Sequence, residues 1–327
     1  MKKRDFLKFS IGLGGLALSG GASFGQAAWP QAGKTIKVIV PWPPGAANDA
    51  LGRLVAQRLQ ETMGATAIVE NRVGGAGIVG TNAVIQAEPD GYTLLASAFN
   101  TAVMPKVLKA ATFNPEVDLE AVGRTAVAPL VLVISGARPE KTLPELIAAA
   151  KKNPKEFNFA ISSLGSAGHL ATVEFLRRTG LQIDMVPYRG TAPALQDLMG
   201  GSAQLLIDPS FALLKAADGN KVRALGIASK QRSVLAPDLP TISEGGVPDF
   251  VFNSWYAIWA PKGTPRDIQV KLNKLIQDTM NDPAIAAVWR GRLLEPVAES
   301  IEDTRAFIKS EVSRMGALLA SINYQPE

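Results

Sequence analysis

Cysteine is absent from the 327-residue sequence, and histidine occurs once, as His169. Without cysteine there is no disulfide framework, thiolate nucleophile or zinc–cysteine site. A single imidazole disfavours metal sites built on histidine, and any mechanism that needs a histidine base must use His169. We therefore predict a protein without a metal ion or a cofactor.

A sustained excess of positive charge is also missing. The net charge is +5, but residues 1–8 hold four basic side chains and one acidic side chain, which leaves little for the remainder. The local cluster around Lys151 and Lys152 lies at the end of a predicted amphipathic helix, where solvated cations are common. Since nucleic-acid binding needs a continuous basic face, we predict no nucleic-acid partner.

Long hydrophobic runs are lacking, and no segment after the N-terminus reaches the roughly 18 apolar residues of a membrane-spanning helix. The N-terminal basic head and the glycine-broken stretch Phe9–Gly25 are typical of an export signal over residues 1–27, cleaved after Ala27. The segment Lys3–Lys8 resembles a twin-arginine signal with lysine in place of the first arginine. The sequence thus predicts a periplasmic protein and leaves the Sec and twin-arginine routes open.

From Lys34 onward, short apolar runs alternate with helical patterns. Leu51, Val55 and Leu59 repeat at helical spacing before Gly64, and Thr142 forms a capping-box pattern with Glu145. This alternation predicts an α/β fold with parallel sheets and helices on both faces. The predicted strands are Ile36–Val40, Thr66–Glu70, Thr93–Ser97, Asn158–Ser162, Ala203–Asp208 and Arg223–Ser229.

Two longer apolar segments, Ala126–Ile134 and Asn253–Ala260, separate the groups of strands. Each is long enough to run from one sheet into another, so we predict two lobes joined by two crossover strands. The predicted first lobe is discontinuous and comprises residues 34–130 and 256–327, and the second comprises residues 131–255. Two lobes joined in this way can close around a ligand cleft.

Several predicted strands run into loops that are rich in glycine, serine, threonine and proline. Pro41–Asp49 follows the first strand, and Ser163–Leu170 and Arg189–Leu195 follow later ones. Such loops present backbone N–H groups, hydroxyls and helix N-termini at the carboxyl edge of a sheet, which favours an anionic ligand. Trp42 lies inside the first loop and is a candidate for the cleft, whereas Trp255, Tyr256 and Trp259 are predicted to belong to the core.

Two enzymatic alternatives have weaker support. The glycines Gly75, Gly77 and Gly80 match a dinucleotide-binding pattern, but the next strand does not end in the acidic residue that binds the ribose. Ser166 lies near His169, but the segment lacks the GxSxG elbow of serine hydrolases. The favoured interpretation is that His169 is a structural residue whose hydrogen-bonding groups are satisfied near a helix N-terminus.

The motifs also carry a resemblance in chain order: VPWPPGAANDALGRLVAQ, VENRVGGAGIVGTNAV, PDGYTLL, SAGHLA, VPYRGTAPALQDLMGG, RALGIAS, PDLPTISEGG and SWYAIWAPKGTP. Together they resemble the Bug or TctC-like substrate-binding family of tripartite tricarboxylate transporters. The resemblance implies a type II periplasmic-binding-protein fold, in which two α/β lobes close on a carboxylated small molecule. It also implies a possible two-component membrane permease as a partner.

The resemblance assigns candidate ligand-binding residues on both lobes. This sequence has Ala46 where the family usually has glycine, and Asp49 must cap the helix, order a bridging water or meet a ligand amine, because two carboxylates repel. With Trp42, the candidates are Pro43, Gly45, Ala46, Asp49, Ser97 and Asn100 in the first lobe, and Ser163, Gly165, Ser166, His169, Tyr188, Gly190, Thr191 and Asp208 in the second.

The sequence therefore predicts an exported, monomeric, non-catalytic receptor for a small organic carboxylate. Two alternatives stay open: a ligand-sensing subunit of a signalling system, and an exported enzyme of unknown reaction. Dicarboxylates, tricarboxylates and aromatic carboxylates all suit loops rich in hydrogen-bond donors.

Overall fold

The computed structural model describes residues 29–217, 219 and 221–327, so the predicted export signal lies outside the described residues. The strands are β1 (Thr35–Val40), β2 (Thr66–Asn71), β3 (Thr93–Ala98), β4 (Leu119–Ser135), β5 (Asn158–Ile161), β6 (Asp184–Pro187), β7 (Leu205–Pro209), β8 (Val222–Ile227), β9 (Asn253–Pro261) and β10 (Glu295–Pro296). The helices are α1 (Ala47–Met63), α2 (Ile78–Ile85), α3 (Asn100–Val103), α4 (Pro115–Asp118), α5 (Leu143–Lys152), α6 (Ala167–Thr179), α7 (Thr191–Gly200), α8 (Ser210–Ala217), α9 (Arg266–Asn281), α10 (Pro283–Arg290) and α11 (Ile301–Ser321).

The strands form one curled sheet in the order β2-β1-β3-β9-β4-β7-β5-β6, and β8 and β10 also pair with β4. Pairing is parallel among β1, β2 and β3 and among β5, β6 and β7. It is antiparallel wherever β4 or β9 takes part. The prediction of parallel sheets is therefore correct at the two ends and wrong at the centre, because the long strands run against their neighbours.

Strand β4 joins the two halves of the sheet. Its first part pairs with β9 as far as Pro129, opposite Asn253. From Leu130 onward it pairs with β7 and from Val131 with β8. This one strand therefore crosses from the half that contains β1, β2, β3 and β9 to the half that contains β5, β6, β7 and β8.

The chain returns to the first half just before β9. The Phe252 N–H donates to the carbonyl of Ala228, and the Leu130 N–H donates to the carbonyl of Phe252. Strand β9 then pairs with β3 and β4. Two adjacent connections therefore link the halves, and the lobe boundaries near residues 130 and 255 stay a prediction.

Helix boundaries follow from local sequence signals. Leu51, Val55 and Leu59 are buried on one face of α1, and Gly64 ends the helix with a left-handed φ of 63°. The predicted cap of α5 is confirmed, because the Thr142 hydroxyl accepts from the Glu145 N–H. In both helices an apolar stripe faces the core, and in α5 the threonine cap also satisfies a backbone N–H at the first turn.

The core contains aromatic side chains that pack edge to face. Trp255 contacts Phe99 and Phe307, with ring centroids 6.0 and 5.7 Å apart. Trp255 and Trp259 are both buried, which confirms their assignment to the core. Within the described residues, no helix is both long and apolar enough to cross a membrane.

Candidate functional site

A cavity of about 390 Å³ lies between the two halves of the sheet. Loops at the carboxyl ends of β1, β3, β5, β6 and β7 form its walls, together with the start of β9. Most of the predicted ligand-binding residues lie on these walls: Trp42, Pro43, Gly45, Ala46, Asn100, Ser163, Ser166, Gly190, Thr191 and Asp208.

The wall from the first half of the sheet is built on the N-terminus of α1. Ala46 is the N-cap residue in extended conformation and provides no side-chain hydrogen bond. The first helical bond runs from the Ala50 N–H to the Ala46 carbonyl, so helix geometry leaves the N–H groups of the preceding residues without helical partners. Ala46, Ala47 and Asn48 line the cavity. Uncapped donors and the positive end of the helix dipole together suit an anion.

Asp49 lies behind this wall and does not line the cavity. Its carboxylate accepts from the Gly45 N–H at 3.0 Å, from Arg53 at 3.0 Å and from the Asn71 amide at 2.9 Å. Burial by itself raises the pKa of Asp49, but the hydrogen bonds from Arg53, Gly45 and Asn71 outweigh it and hold the pKa below its usual value. Asp49 therefore fastens the loop to the helix and to β2, where its charge is compensated.

The opposite wall is organised around the buried carboxyl group of Asp208, at the end of β7. Its two oxygens accept from the Ser162 hydroxyl at 2.9 Å and from the Thr191 hydroxyl. Burial raises the pKa of Asp208 to about 6, although both hydrogen bonds act to lower it. The network ties the end of β5, the start of α7 and the end of β7 into one surface.

His169 is buried beside this wall rather than exposed to the cavity. Its Nδ1 accepts from the Gly165 N–H at 3.1 Å, and burial lowers its pKa from 6.5 to about 4. The Ser166 hydroxyl accepts from the backbone N–H of His169, not from its imidazole. The residues needed for a Ser–His nucleophile are therefore close in sequence but not paired, and the imidazole orders the loop before α6.

The remaining predicted residues also stay behind the walls. Tyr188 donates its hydroxyl to Asp197, and burial followed by this carboxylate raises the pKa of Tyr188 to about 12. Ser97 is buried in β3, and its hydroxyl has no hydrogen-bond partner among the described residues. Gly165 has a φ of 74° and packs against Val107. These residues shape the walls without lining the cavity.

Within residues 29–217, 219 and 221–327, no group of three or more histidine, aspartate or glutamate side chains is placed to hold a metal ion. The cavity instead presents backbone N–H groups, hydroxyls and amides. Groups of this kind are suited to hold a small polar molecule through hydrogen bonds.

Comparison with known proteins decides the family. The sequence profile described as "Tripartite tricarboxylate transporter family receptor" (TctC) matches residues 51–324. The chain belongs to this family. The receptor is 37% identical over 288 residues to BugT of Bordetella pertussis, with 88% of each chain covered.

Solved structures, among them that of the periplasmic binding protein BugD, share the receptor's fold, which confirms the predicted fold class. Rpa4515 of R. palustris with adipate is 30% identical with a TM-score of 0.87 and covers 92% of this chain and 100% of its own. MatC from Rhodopseudomonas palustris with bound malate is 26% identical with a TM-score of 0.81 and covers 88% of this chain and 100% of its own. BugD is 29% identical with a TM-score of 0.83, and the match covers 90% of this chain and 99% of the BugD chain.

Some residues that line the receptor's cavity were not among the predicted ligand-binding residues. Tyr256 was assigned to the core, but it lines the cavity although it is 5% exposed. Asn48 and Arg189 lie directly beside predicted residues, and Ser162 ends a predicted strand. A single sequence does not show which of several neighbouring loop residues points its side chain into a cavity, so these residues could not be predicted.

Proposed function

We propose that the protein is an extracytoplasmic receptor that captures a small organic carboxylate between two lobes and delivers it to a two-component membrane permease. The observation that carries this proposal is the uncapped N-terminus of α1, which opens into the cavity. The relatives that hold adipate and malate support a carboxylate as the ligand.

The proposed lobes are residues 34–130 with 256–327, and residues 131–255. The change of β4 partners between Pro129 and Leu130 supports the first boundary. A ligand that contacts α1 on one side and the wall around Asp208 on the other stabilises the closed arrangement by its difference in affinity for the two states. The permease then recognises the closed receptor.

The magnitudes are sufficient without a metal ion. A helix N-terminus contributes about 0.3–1 kcal/mol toward a nearby anion and up to about 2 kcal/mol when partly buried. Each hydrogen bond to a charged group contributes about 1.5–3 kcal/mol. Four or five such contacts, less the cost of association, reach the roughly −8 kcal/mol of micromolar binding.

Within this proposal, the cavity-lining residues contact the ligand directly. The five residues behind the walls (Asp49, Ser97, Gly165, His169 and Tyr188) belong to the structure that supports the site.

The decisive experiment changes Ala46 to aspartate. Ala46 already has the extended conformation of an N-cap residue, so an aspartate there caps α1 and stabilises the free protein by about 1 kcal/mol. The same carboxylate occupies the donors and repels an anionic ligand. We expect a higher melting temperature without ligand and no binding of adipate or malate by calorimetry.

The matched control is Ser300→Asp, at the N-cap of α11 outside the cavity. This variant should bind as the unaltered protein does, and the ligand recovered after binding should be chemically unchanged, as a receptor requires. Full binding by the Ala46→Asp variant would refute the site. A family-wide panel of carboxylates that leaves the unaltered protein without any thermal shift would refute the function, since a ligand at 100 times its Kd stabilises by about 2.7 kcal/mol.

Delivery and export require tests in cells. Uptake of a labelled carboxylate should depend on both the receptor and its permease, and uptake by the permease alone would contradict the delivery role.

The mature periplasmic protein should begin at Ala28 if residues 1–27 are removed. Export that persists in a strain without the twin-arginine translocase would assign the Sec route.

A further inference from the structure

Arg189 is the only cationic residue among those that line the cavity in the described part of the chain. It lies in the loop between β6 and α7, and its side chain is exposed. Among the described residues it has neither a hydrogen-bond partner nor an ion-pair partner. The other arginine near the site, Arg53, is already paired with Asp49 at 3.0 Å. A guanidinium at a cavity wall without an internal partner is available to a ligand.

The backbone around Arg189 is held in place. The Tyr188 N–H donates to the carbonyl of Ile161 at 2.8 Å, and the Gly190 N–H donates to the carbonyl of Ser162 at 2.7 Å. These bonds attach both neighbours of Arg189 to the end of β5. The attachment places the start of the side chain at a defined position. A contact with the ligand therefore costs the conformational entropy of one side chain and not that of a whole loop.

The nearby acid does not neutralise Arg189. Asp208 is the acidic residue that lines the cavity, and the hydroxyls of Ser162 and Thr191 occupy its two oxygens. Asp208 forms no ion pair with Arg189 at 4.0 Å or less within the described residues. Arg189 is therefore a positive charge on this wall that no carboxylate among the described residues pairs with.

The two features that favour anions lie on opposite walls. The uncapped N-terminus of α1 belongs to the first half of the sheet, and Arg189 belongs to the second. Apolar side chains, including Trp42, Phe99 and Leu195, also line the cavity. This arrangement matches a molecule with an anionic group at each end and an apolar middle.

We infer that Arg189 binds the second anionic group of the ligand and makes the receptor selective for dicarboxylates over monocarboxylates of equal chain length. This inference rests on the proposed function, in which the first carboxylate occupies the N-terminus of α1. The planar fork of a guanidinium matches a carboxylate with two parallel hydrogen bonds. Arg189 is thus a specificity-determining residue on the wall opposite the helix.

The experiment compares pairs of acids with the same chain: hexanoate with adipate, and butyrate with succinate. Calorimetry is carried out on the unaltered protein and on Arg189→Gln, Arg189→Lys and Lys230→Gln. Lys230 is exposed and outside the cavity, so its variant removes the same charge elsewhere. We expect Arg189→Gln to weaken the dicarboxylate at least about tenfold and the monocarboxylate less than about threefold.

The affinity of Arg189→Lys for the dicarboxylate should lie between those of the unaltered protein and Arg189→Gln, because lysine keeps the charge and lacks the planar fork. Lys230→Gln should leave the affinities for both acids unchanged. The melting temperature without ligand should not move in any variant. An equal loss for both acids of a pair, or no loss for the dicarboxylate, would overturn the assignment of Arg189 and leave the receptor function intact. If the unaltered protein binds neither acid of either pair, the inferred selectivity for dicarboxylates is overturned, and the carboxylate panel decides separately whether the receptor function stands.

Discussion

Weak acid should destabilise this protein through His169. The imidazole is 1% exposed, and its Nδ1 accepts from the Gly165 N–H. Burial lowers its pKa from 6.5 to about 4, so the folded state favours the neutral ring. The associated stability is complete above pH 6.5 and is lost as the pH falls toward 4.

The size of the loss follows from the two pKa values. A gap of about 2.5 between 6.5 and about 4 corresponds to about 3.4 kcal/mol once the pH is below both values. At pH 5 the same linkage already removes about 2 kcal/mol of the free energy of unfolding. His169→Gln does not titrate and can still offer an oxygen to the Gly165 N–H, so it should remove this part of the pH dependence.

Urea denaturation of both proteins at pH 7.5 and pH 5.0 measures the effect. The difference in unfolding free energy between the two proteins should change by about 2 kcal/mol between these pH values. Because the sequence has one histidine, its imidazole signal in NMR is unambiguous in an untagged sample and reports the folded-state pKa directly. A pKa near 6.5, or identical pH dependence in both proteins, would refute the argument.

Three further changes have defined outcomes. Gly168→Ala would place a Cβ 2.2 Å from the Ile207 carbonyl oxygen and 2.7 Å from the Asp208 carboxylate, so it should lower the free energy of unfolding by more than about 2 kcal/mol in urea denaturation. Gly200→Ala is the control, because no atom lies within 4 Å of the added Cβ, and it should not lower stability in this way. Equal effects of the two substitutions would contradict the close packing at Gly168. In the unaltered protein, the raised pKa of Asp208 should cost about 3 kcal/mol of stability as the pH rises from 3.8 through about 6. Asp208→Asn removes this loss, so the stability of the variant relative to the unaltered protein should be higher at pH 7 than at pH 4. A stability difference between the two proteins that does not change with pH would argue against the raised pKa. Thr142→Ala should cost about 1 kcal/mol through loss of the α5 cap, and an unchanged urea midpoint would show that the cap contributes nothing.

The sequence predicted the buried strands well and the direction of pairing poorly. The second half of β1, Val38–Val40, is buried on both faces and therefore forms a continuous apolar run. In contrast, β6 is an exposed edge strand and has no such run. The direction of β4 and β9 relative to their neighbours depends on which backbone groups meet across the ladder, and apolarity carries no information about this.

The candidate site was predicted at the level of loops and less well at the level of side chains. Ala46 and Asn48 face the cavity, but Asp49, one helical step further, turns back toward Arg53 and Asn71. Successive residues on a helix point about 100° apart, so only the orientation of α1 in the fold decides which of them meets a ligand. Tyr256 resembles a core residue in the sequence because it lies in the apolar strand β9, and only the fold shows that the start of this strand borders the cavity.

His169 and Asp208 impose opposite pH dependences on one region. A Cβ on Gly168, the residue before His169, would lie 2.7 Å from Asp208, so both groups are adjacent to the first turn of α6. As the pH falls from 7 to 5, protonation of His169 costs about 1.9 kcal/mol, whereas protonation of Asp208 recovers about 1.3 kcal/mol, given folded-state pKa values of about 4 and about 6. The two contributions therefore largely offset each other, and the unaltered protein should lose only about 0.6 kcal/mol over this range through these two groups. Asp208→Asn exposes the cost of His169, His169→Gln exposes the gain from Asp208, and the double variant should be nearly flat again. If the single variants show no opposite slopes, the two buried groups do not titrate as their surroundings require.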